Sequence, residues 1–325
     1  MQAIVITRYG QPAEVLQVKE VAKPTPGDHQ VLVSVQAASL NVADLAPIRG
    51  AFVARLLGTG WRKPKRAILG TDLAGRVEAV GKNVTRFRPG DEVFGAAPGS
   101  FAEYACAAED RLALKPANVT FEAAAAVPVA GVSALQGLRQ GQIEPGQQVL
   151  IHGASGAVGT FAVQLAKSFG AEVTAVCSPR NLENARRLGA DHVIDYTQED
   201  FARTGRTYDL ILAVNGARSP LDYRKALRRP GRCVVLGGAM SQILQTLLLG
   251  RWVSEAGGRT IGFMGIARMN SADLDRLKEL LAAEKIKPLI ERRYPLSQTA
   301  EAVEYVAQGH AQAKVVITLG DSPTT

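Results

Sequence analysis

The feature that most constrains this chain is a glycine-rich turn between an apolar strand and an amphipathic helix. Residues 149–159 read VLIHGASGAVG, with a glycine at every third position from Gly153. Val158, Ala162 and Leu165 then recur on one helical face. A helix that begins inside such a turn points backbone N–H groups and its positive end at an anion. Since the turn lies in a strand–helix–strand unit, it predicts a dinucleotide site.

Three regions of the chain differ in their pattern. Residues 1–118 are short strands separated by Pro/Gly turns, which is typical of a small antiparallel β domain or barrel. Residues 119–285 alternate apolar strands and helices, which predicts right-handed crossovers and a doubly wound parallel sheet. Residues 286–325 read strand, helix, strand. The predicted fold class is therefore α/β.

The strand after the glycine turn indicates which dinucleotide binds. Sites selective for NAD place Asp or Glu at the end of this strand, on the ribose 2′-OH. Here the strand ends in Cys177-Ser178-Pro179-Arg180, which has a hydroxyl and a guanidinium and no carboxylate. These groups suit a 2′-phosphate, so NADPH is favoured. Ser178 is equally placed to cap the helix that follows. The alternative interpretation of Arg180 is a solvated residue in the first turn of that helix.

Composition excludes several other classes of protein. Three cysteines with no CxxC pair rule out a disulfide scaffold and a cysteine zinc site. The N-terminus reads as a strand, and the apolar runs are too short or too broken to span a bilayer. We therefore expect a soluble cytoplasmic protein with no membrane partner. The net charge is +8, but the basic stretches lack interleaved aromatic residues on which bases could stack, so no nucleic-acid partner is expected. The basic residues of 224–232 are interpreted as a solvated surface.

A series of short motifs runs along nearly the whole chain in a specific order. They are VKE with PTPG at 18–27, ASLNVAD at 38–44, LGTDLAG at 69–75, FRPGDEV at 87–93, GSFAEY at 99–104, AAVP at 125–128, GVSALQGL at 131–138 and LGAD at 188–191. In this order and spacing the chain resembles the medium-chain dehydrogenase/reductase superfamily, and within it the zinc-free quinone oxidoreductase branch. The resemblance implies a GroES-like barrel of 1–118 completed by 286–325, a Rossmann domain of 119–285, and a cleft between them for nicotinamide and substrate.

The resemblance also implies positions for the site residues. The implied cofactor-binding residues are Asn41, Ser133, Ser155, Gly156, Ala157, Val158, Ser178, Arg180, Tyr196, Asn215, Gly216, Gly237, Phe263 and Lys314. Asn41 and Asp44 are the candidate catalytic residues: Asn41 would orient the cofactor or the acceptor oxygen, whereas Asp44 is equally interpreted as a helix-end carboxylate. A homodimer formed by edge pairing near 260–265 is implied as well.

No metal site is expected. The alcohol dehydrogenase branch begins its zinc site with Cys where this chain has Asn41, and continues with His-Glu where Thr71-Asp72 stands. No two histidines of this chain have ligand spacing. Without a Lewis acid, hydride transfer to a quinone or to an α,β-unsaturated carbonyl remains feasible, because the acceptor spreads the incoming charge. The alternatives are an NADP-dependent carbonyl reductase or alcohol dehydrogenase, and a non-catalytic NADPH- or RNA-binding protein of the same fold.

Two further segments have open interpretations. Residues 44–66 carry apolar and basic side chains, and they are either a lid, with Phe52 and Trp61 contacting substrate, or a solvated excursion. The apolar stretch 242–250 is either a second wall of the cleft or part of a dimer face.

Overall fold

The computed structural model describes residues 1–49, 64, 67–216, 218–254, 258–309 and 311–319. The chain divides into two compact units, Met1–Val129 with Met269–Thr325, and Ala130–Arg268. We refer to these as unit 1 and unit 2. Phe52 and Trp61 lie outside the described residues, so their predicted contact with substrate stays a prediction.

The described residues form strands and helices in the following order. The strands are β1 (Gln2–Ile6), β2 (Leu16–Glu20), β3 (Gln30–Ser39), β4 (Asp72–Val80), β5 (Glu92–Ala96), β6 (Tyr104–Ala108), β7 (Leu112–Leu114), β8 (Gln148–His152), β9 (Glu172–Cys177), β10 (His192–Asp195), β11 (Tyr208–Ala213), β12 (Leu227–Val235), β13 (Arg259–Phe263), β14 (Ile290–Pro295) and β15 (Lys314–Thr318). The α-helices are α1 (Pro12–Val15), α2 (Ala46–Arg49), α3 (Phe121–Ala125), α4 (Pro128–Gln140), α5 (Ala157–Ser168), α6 (Leu182–Arg187), α7 (Pro220–Ala226), α8 (Met240–Val253), α9 (Ser271–Ala282) and α10 (Thr299–Ala307).

Unit 1 is built around a mostly antiparallel sheet in the order β14-β15-β3-β4-β5-β7, with β6 also paired to β3. The long strand β3 carries buried apolar residues such as Val31, Val33 and Val35 at alternate positions, as expected for a strand with one face in a core. β15 pairs with β3, with Val316 opposite Ser39. The C-terminal segment therefore completes the N-terminal sheet, as the resemblance implied.

Unit 2 holds a six-stranded sheet in the order β10-β9-β8-β11-β12-β13, in which the recorded strand pairs are parallel. The central strands are continuous apolar runs, and Leu150, Ile151, Leu210 and Ile211 have no exposed surface. Such runs are characteristic of parallel strands covered by helices on both faces. The predicted doubly wound sheet is confirmed, and its strand order is that of a dinucleotide-binding fold.

The division into units differs from the boundaries predicted at 118/119 and 285/286. Residues 119–129 and 269–285 belong to unit 1. The reason is tertiary: α3 packs against β3 and β4, where the Ser39 hydroxyl donates to the Ala125 carbonyl at 2.8 Å. α9 packs against β7, where Asn118 Nδ2 donates to the Ala282 carbonyl at 3.2 Å. Periodicity within a helix does not show the sheet on which it packs, because the strands concerned are distant in the chain.

Among the described residues, none of the helices combines the length and the apolar character that crossing a bilayer requires.

Candidate functional site

The predicted glycine turn joins β8 to α5 in unit 2. Gly153 has a φ of 88°, a left-handed conformation that favours glycine. A Cβ on Gly159 would lie 2.2 Å from the Gly153 carbonyl oxygen, so only glycine lets the first turn of α5 approach the loop this closely. Gly156 precedes α5 and supplies no capping side chain. The end of the helix therefore presents backbone N–H groups beside the half-buried Ser155, Ala157 and Val158.

The three residues predicted for a 2′-phosphate follow neighbouring strands. β9 and β10 are parallel with Cys177 opposite Asp195, and the Tyr196 N–H donates to the Cys177 carbonyl at 3.3 Å. Ser178 and Tyr196 therefore leave the same edge of the sheet side by side, and Arg180 follows as an exposed residue. The Ser178 hydroxyl oxygen accepts a hydrogen bond from Asn181 Nδ2 at 2.9 Å instead of capping the backbone, which leaves its O–H as a donor.

The other predicted residues of unit 2 follow the next strands along the sheet. Asn215 and Gly216 come after β11, Gly237 follows β12, and Phe263 ends β13. A Cβ on Gly153 would lie 2.8 Å from the Asn215 carbonyl oxygen, so the loops after β8 and β11 are in contact. Ser133 is half-buried on α4. The parallel sheet thus brings most of the predicted cofactor residues to its carboxyl edge.

A buried polar network that sequence reasoning missed lies beneath this edge. His152 Nδ1 is 2.9 Å from the Tyr223 hydroxyl, to which Gln242 Nε2 donates at 3.1 Å. Burial, with the nearby Arg218 guanidinium, lowers the pKa of His152 to about 4, so the ring is neutral at neutral pH and shares one hydrogen bond with the Tyr223 hydroxyl. A Cβ on Gly216 would lie 2.4 Å from the His152 ring, so this network supports the loop after β11.

Unit 1 contains a second cluster, at the point where β3, β4 and β15 meet. Lys314 opens β15 and Asp72 opens β4, and both side chains are completely buried. The Lys314 ammonium donates to Asp72 Oδ2 at 3.1 Å and to the Leu40 carbonyl at 3.1 Å. Asp72 also accepts from the Val129 N–H at 3.1 Å, and its Oδ2 lies 3.1 Å from the Ser39 hydroxyl, whose single proton it shares with the Ala125 carbonyl. The ion pair is therefore well supplied with hydrogen bonds.

Asn41 is held by both members of this ion pair. Its Nδ2 donates to Asp72 Oδ2 at 3.0 Å, and its Oδ1 accepts from Lys314 Nζ at 2.8 Å. These two bonds fix the positions of the amide oxygen and the amide NH2 group. The second N–H of this half-buried side chain is left to donate to another group. The resemblance implied that Lys314 binds cofactor directly. Its ammonium is completely buried and donates to Asn41 Oδ1, so a contact between Lys314 and the cofactor stays a prediction.

Asp44 lies one short turn after Asn41. Its Oδ2 accepts the Asn41 backbone N–H at 2.8 Å and its Oδ1 accepts the Thr71 hydroxyl at 3.3 Å. Burial raises the pKa of Asp44 to about 6, with nearby Asp72 adding to the effect and the Asn41 N–H and Lys314 opposing it. The helix-end interpretation of Asp44 accounts for these contacts, and the carboxylate stiffens the turn that carries Asn41.

The chain is similar to known proteins in both sequence and fold. Residues 27–117 match the family model of the alcohol dehydrogenase GroES-like domain, and residues 188–317 match the model described as zinc-binding dehydrogenase. A 2-methylene-furan-3-one reductase from Solanum lycopersicum is 34% identical over 98% of this chain and 79% of its own. A chloroplastic quinone-oxidoreductase QR1 from Triphysaria versicolor is 32% identical over 98% of both chains.

This chain belongs to the quinone oxidoreductase branch of the medium-chain dehydrogenase/reductase superfamily. Solved structures agree with that assignment. The quinone oxidoreductase from Coxiella burnetii superposes with a TM-score of 0.87 at 30% identity, covering 98% of this chain and 99% of its own. The Escherichia coli quinone oxidoreductase complexed with NADPH superposes with a TM-score of 0.81 at 25% identity, covering 98% and 100%.

The sequence analysis named Asp72 only as a position where the alcohol dehydrogenase branch has a zinc ligand, and it did not anticipate the buried ion pair that Asp72 forms with Lys314. Asp72 stands within LGTDLAG at 69–75, where a carboxylate opens an otherwise apolar strand. A charged residue at such a position requires a buried partner, and this requirement was the only sign in the sequence of a buried ion pair. Lys314, its partner, is 242 positions away in the sequence. Periodicity cannot connect residues over that separation.

Proposed function

We propose that this protein is an NADPH-dependent reductase that transfers a hydride to a quinone or to the β-carbon of an α,β-unsaturated carbonyl compound, without a metal ion. The observation that carries the proposal is the oriented Asn41 amide, which a buried Lys314–Asp72 pair holds where the zinc-dependent branch has a cysteine. An amide N–H is a hydrogen-bond donor and not a Lewis acid. It therefore suits an acceptor that disperses its own charge.

The cofactor residues support NADPH. When bound, NADPH supplies the hydride. The turn from Gly153 to Gly159 suits the pyrophosphate, because it combines close backbone approach with a helix N-terminus. The Ser178 hydroxyl and the exposed Arg180 and Tyr196 side chains, at the edge of β9 and β10, suit a 2′-phosphate. The relative from Arabidopsis thaliana that is 32% identical is named an NADPH-dependent alkenal/one oxidoreductase.

The donor set does not fit zinc. In the position of the alcohol dehydrogenase ligands stand Asn41, Thr71 and Asp72, and both polar atoms of the Asn41 side chain are already bonded. The Lys314 ammonium lies 2.8 Å from Asn41 Oδ1 and 3.1 Å from Asp72 Oδ2, so a cation at these oxygens would face a buried positive charge. We therefore propose a reaction that uses no metal ion.

The residues of unit 1 then have defined roles. Asn41 donates its remaining N–H to the nicotinamide ribose or to the acceptor oxygen. Hydride addition to the β-carbon of an enone makes an enolate, which takes a proton at its α-carbon from water or a neighbouring hydroxyl and becomes the saturated ketone. A quinone accepts the hydride and a proton and becomes the hydroquinone. In both reactions the oxygen gains negative charge, which a fixed donor stabilises.

The test is NADPH oxidation with a quinone and with a simple enone, followed by identification of the product. The saturated ketone supports the proposal, whereas the allylic alcohol would establish the carbonyl reductase alternative. NADPH binding without turnover of either acceptor would establish the non-catalytic alternative. Asn41→Ala is expected to lower kcat/KM for the acceptor at least tenfold, and a weakened NADPH affinity in the same variant would assign the free N–H to the nicotinamide ribose, whereas an unchanged one would assign it to the acceptor oxygen.

Assembly and location are part of the same proposal. β13 is an edge strand of the described six-stranded sheet, so two copies are able to pair along it, and we propose a homodimer formed in this way. Cys106, Cys177 and Cys233 are all unpaired thiols. That arrangement is typical of a reducing compartment, which supports a cytoplasmic location.

A further inference from the structure

The Ser178 hydroxyl is held by a second side chain, that of Asn181. Asn181 Nδ2 donates to Ser178 Oγ at 2.9 Å, and the Asn181 backbone N–H donates to the Ser178 carbonyl at 2.9 Å. Two hydrogen bonds therefore connect the same pair of residues across Pro179 and Arg180. Asn181 is only 3% exposed, so its side chain has little freedom to turn away from Ser178.

Helix capping does not account for an asparagine at this position. Asn181 is the residue before α6, where an asparagine side chain commonly accepts a backbone N–H, and yet this one makes no such bond. Asparagine and aspartate are about equally favourable as capping residues. What asparagine adds is an N–H donor, and here that donor is directed at Ser178 Oγ.

The bond from Asn181 decides how the Ser178 hydroxyl acts. A serine hydroxyl has one proton to donate and two lone pairs that accept. Because the Asn181 amide occupies one lone pair, the proton of Ser178 points away from Asn181, and the oxygen caps no backbone N–H. The proton is then available to an acceptor at the edge of the sheet, where the Ser178 side chain is half-buried.

A carboxylate at the same edge of the sheet is engaged elsewhere. Asp195 ends β10, opposite Cys177 at the end of β9. Its Oδ1 accepts the Thr197 N–H at 2.9 Å and the Thr197 hydroxyl at 2.8 Å, so it closes a turn. Sites selective for NAD place a carboxylate on the ribose 2′-OH, as an acceptor. Ser178 instead offers a donor, which suits phosphate oxygens.

We propose that Asn181 is a specificity-determining residue, which sets the preference for NADPH over NADH by fixing the Ser178 O–H as a donor to the 2′-phosphate. This role rests on the proposed function, in which Ser178 meets the 2′-phosphate. Asn181 acts through Ser178 and is therefore a positioning residue. A dianionic 2′-phosphate only accepts hydrogen bonds, whereas the ribose 2′-OH of NADH both donates and accepts. A fixed donor therefore favours the phosphate.

The experiment is fluorescence titration of the full chain with NADPH and with NADH, compared as the ratio of the two dissociation constants. In Asn181→Asp the side chain has no N–H, and its carboxylate accepts the Ser178 O–H. We expect NADPH binding to weaken about tenfold or more, with NADH binding nearly unchanged. Asn184→Asp, which adds the same charge at a half-buried position of α6, is the matched control and should change the ratio much less.

A second variant removes the bond without adding charge. Asn181→Leu has nearly the same shape and no donor, and it should weaken NADPH binding about threefold relative to NADH binding. In a Ser178→Ala background the hydroxyl is gone, so Asn181→Leu should no longer change the ratio. A purely structural role for Asn181 would weaken the binding of both cofactors together and would persist in that background. Partial unfolding of a variant lowers the binding of both cofactors alike and leaves their ratio unchanged.

Three results would overturn the role of Asn181. They are an unchanged ratio in Asn181→Asp, an equal loss for both cofactors, and an effect of Asn181→Leu that remains in the Ser178→Ala background. If the wild type prefers NADPH, any of these results leaves the proposed function in place. A wild-type protein that binds NADH as tightly as NADPH would overturn the proposed cofactor preference, and the role of Asn181 with it.

Discussion

Lys314 Nζ lies 3.1 Å from Asp72 Oδ2, and neither side chain has any solvent-accessible surface. Their strands, β15 and β4, flank β3 on opposite sides, so the pair closes over the carboxyl end of β3 just before Asn41. Taking two charges out of water is costly, and good geometry with further hydrogen bonds is needed to offset that cost. Here the pair connects the stability of unit 1 to the orientation of the Asn41 amide.

Asp72→Asn is expected to lower the free energy of unfolding by about 3 kcal/mol, because it leaves the Lys314 ammonium buried without its counter-charge. It should also lower turnover, since Asn41 Nδ2 loses a charged acceptor. Urea unfolding and NADPH oxidation measure the two effects. Glu78→Gln is the control: its carboxylate pairs with Lys23 at 2.7 Å at an exposed site, so the loss should be much smaller. Equal losses in the two variants would show that the buried pair has no special role.

Gly159→Ala is expected to destabilise unit 2 and to weaken NADPH binding. Alanine normally stabilises a helix relative to glycine by about 1 kcal/mol. At this position the new Cβ would lie 2.2 Å from the Gly153 carbonyl oxygen, so the glycine turn must move. Fluorescence titration with NADPH and thermal unfolding report the two effects. Gly262→Ala, in β13 of the same unit, has no atom within 4 Å of its added Cβ and should bind NADPH normally. A Gly159→Ala protein that binds as tightly as wild type would contradict the assigned cradle.

Arg180→Ala is expected to weaken NADPH binding about tenfold or more while leaving NADH binding nearly unchanged. The reason is the loss of a charge-assisted hydrogen bond to the 2′-phosphate, a group that NADH lacks. Dissociation constants for both cofactors give the ratio directly. Arg187→Ala, an exposed arginine of α6 that pairs with Glu183, controls for the loss of one positive charge in the same unit. An equal loss for both cofactors would mean that Arg180 does not contact the phosphate.

Asp44 should make unit 1 lose stability as the pH rises. Its pKa is raised from 3.8 to about 6 in the folded protein, so between these values the folded state binds more protons than the unfolded state. The free energy of unfolding therefore falls through this window, by a total of about 3 kcal/mol from this group, and levels off above it.

Urea unfolding at a series of pH values tests this sign. Asp44→Asn, which cannot ionise, should gain stability relative to wild type as the pH rises through the window. Asp28→Asn, at an exposed carboxylate of the same unit, should keep the wild-type slope. A parallel pH dependence in wild type and Asp44→Asn would refute the raised pKa.

Much of unit 2 could be predicted from local sequence. The glycine turn, α5 and the strands on either side follow from residues that are close together in the chain, where backbone freedom, periodicity and helix capping decide the structure. The parallel sheet follows from the alternation of strands and helices, because such crossovers have one favoured hand. Ser178 and Arg180 were predicted from the end of one strand, whereas Tyr196 was implied by the resemblance, and the strand register brings Ser178 and Tyr196 together.

The Asp72–Lys314 pair and the outward apolar face of α8 were decided by tertiary structure. The pair joins residues 242 positions apart, and no periodic pattern carries that information. In α8 the sequence shows many leucines but not the side that packs on β13. Gly250 approaches the Ile261 carbonyl so closely that an added Cβ would lie 2.8 Å from it, which turns Gln242 and Thr246 inward and the leucines outward. The sequence thus determined the antiparallel sheet, the parallel sheet and the dinucleotide turn, because these depend on residues that are close together in the chain. Tertiary packing alone decided which charges meet in the core and which apolar face remains in water.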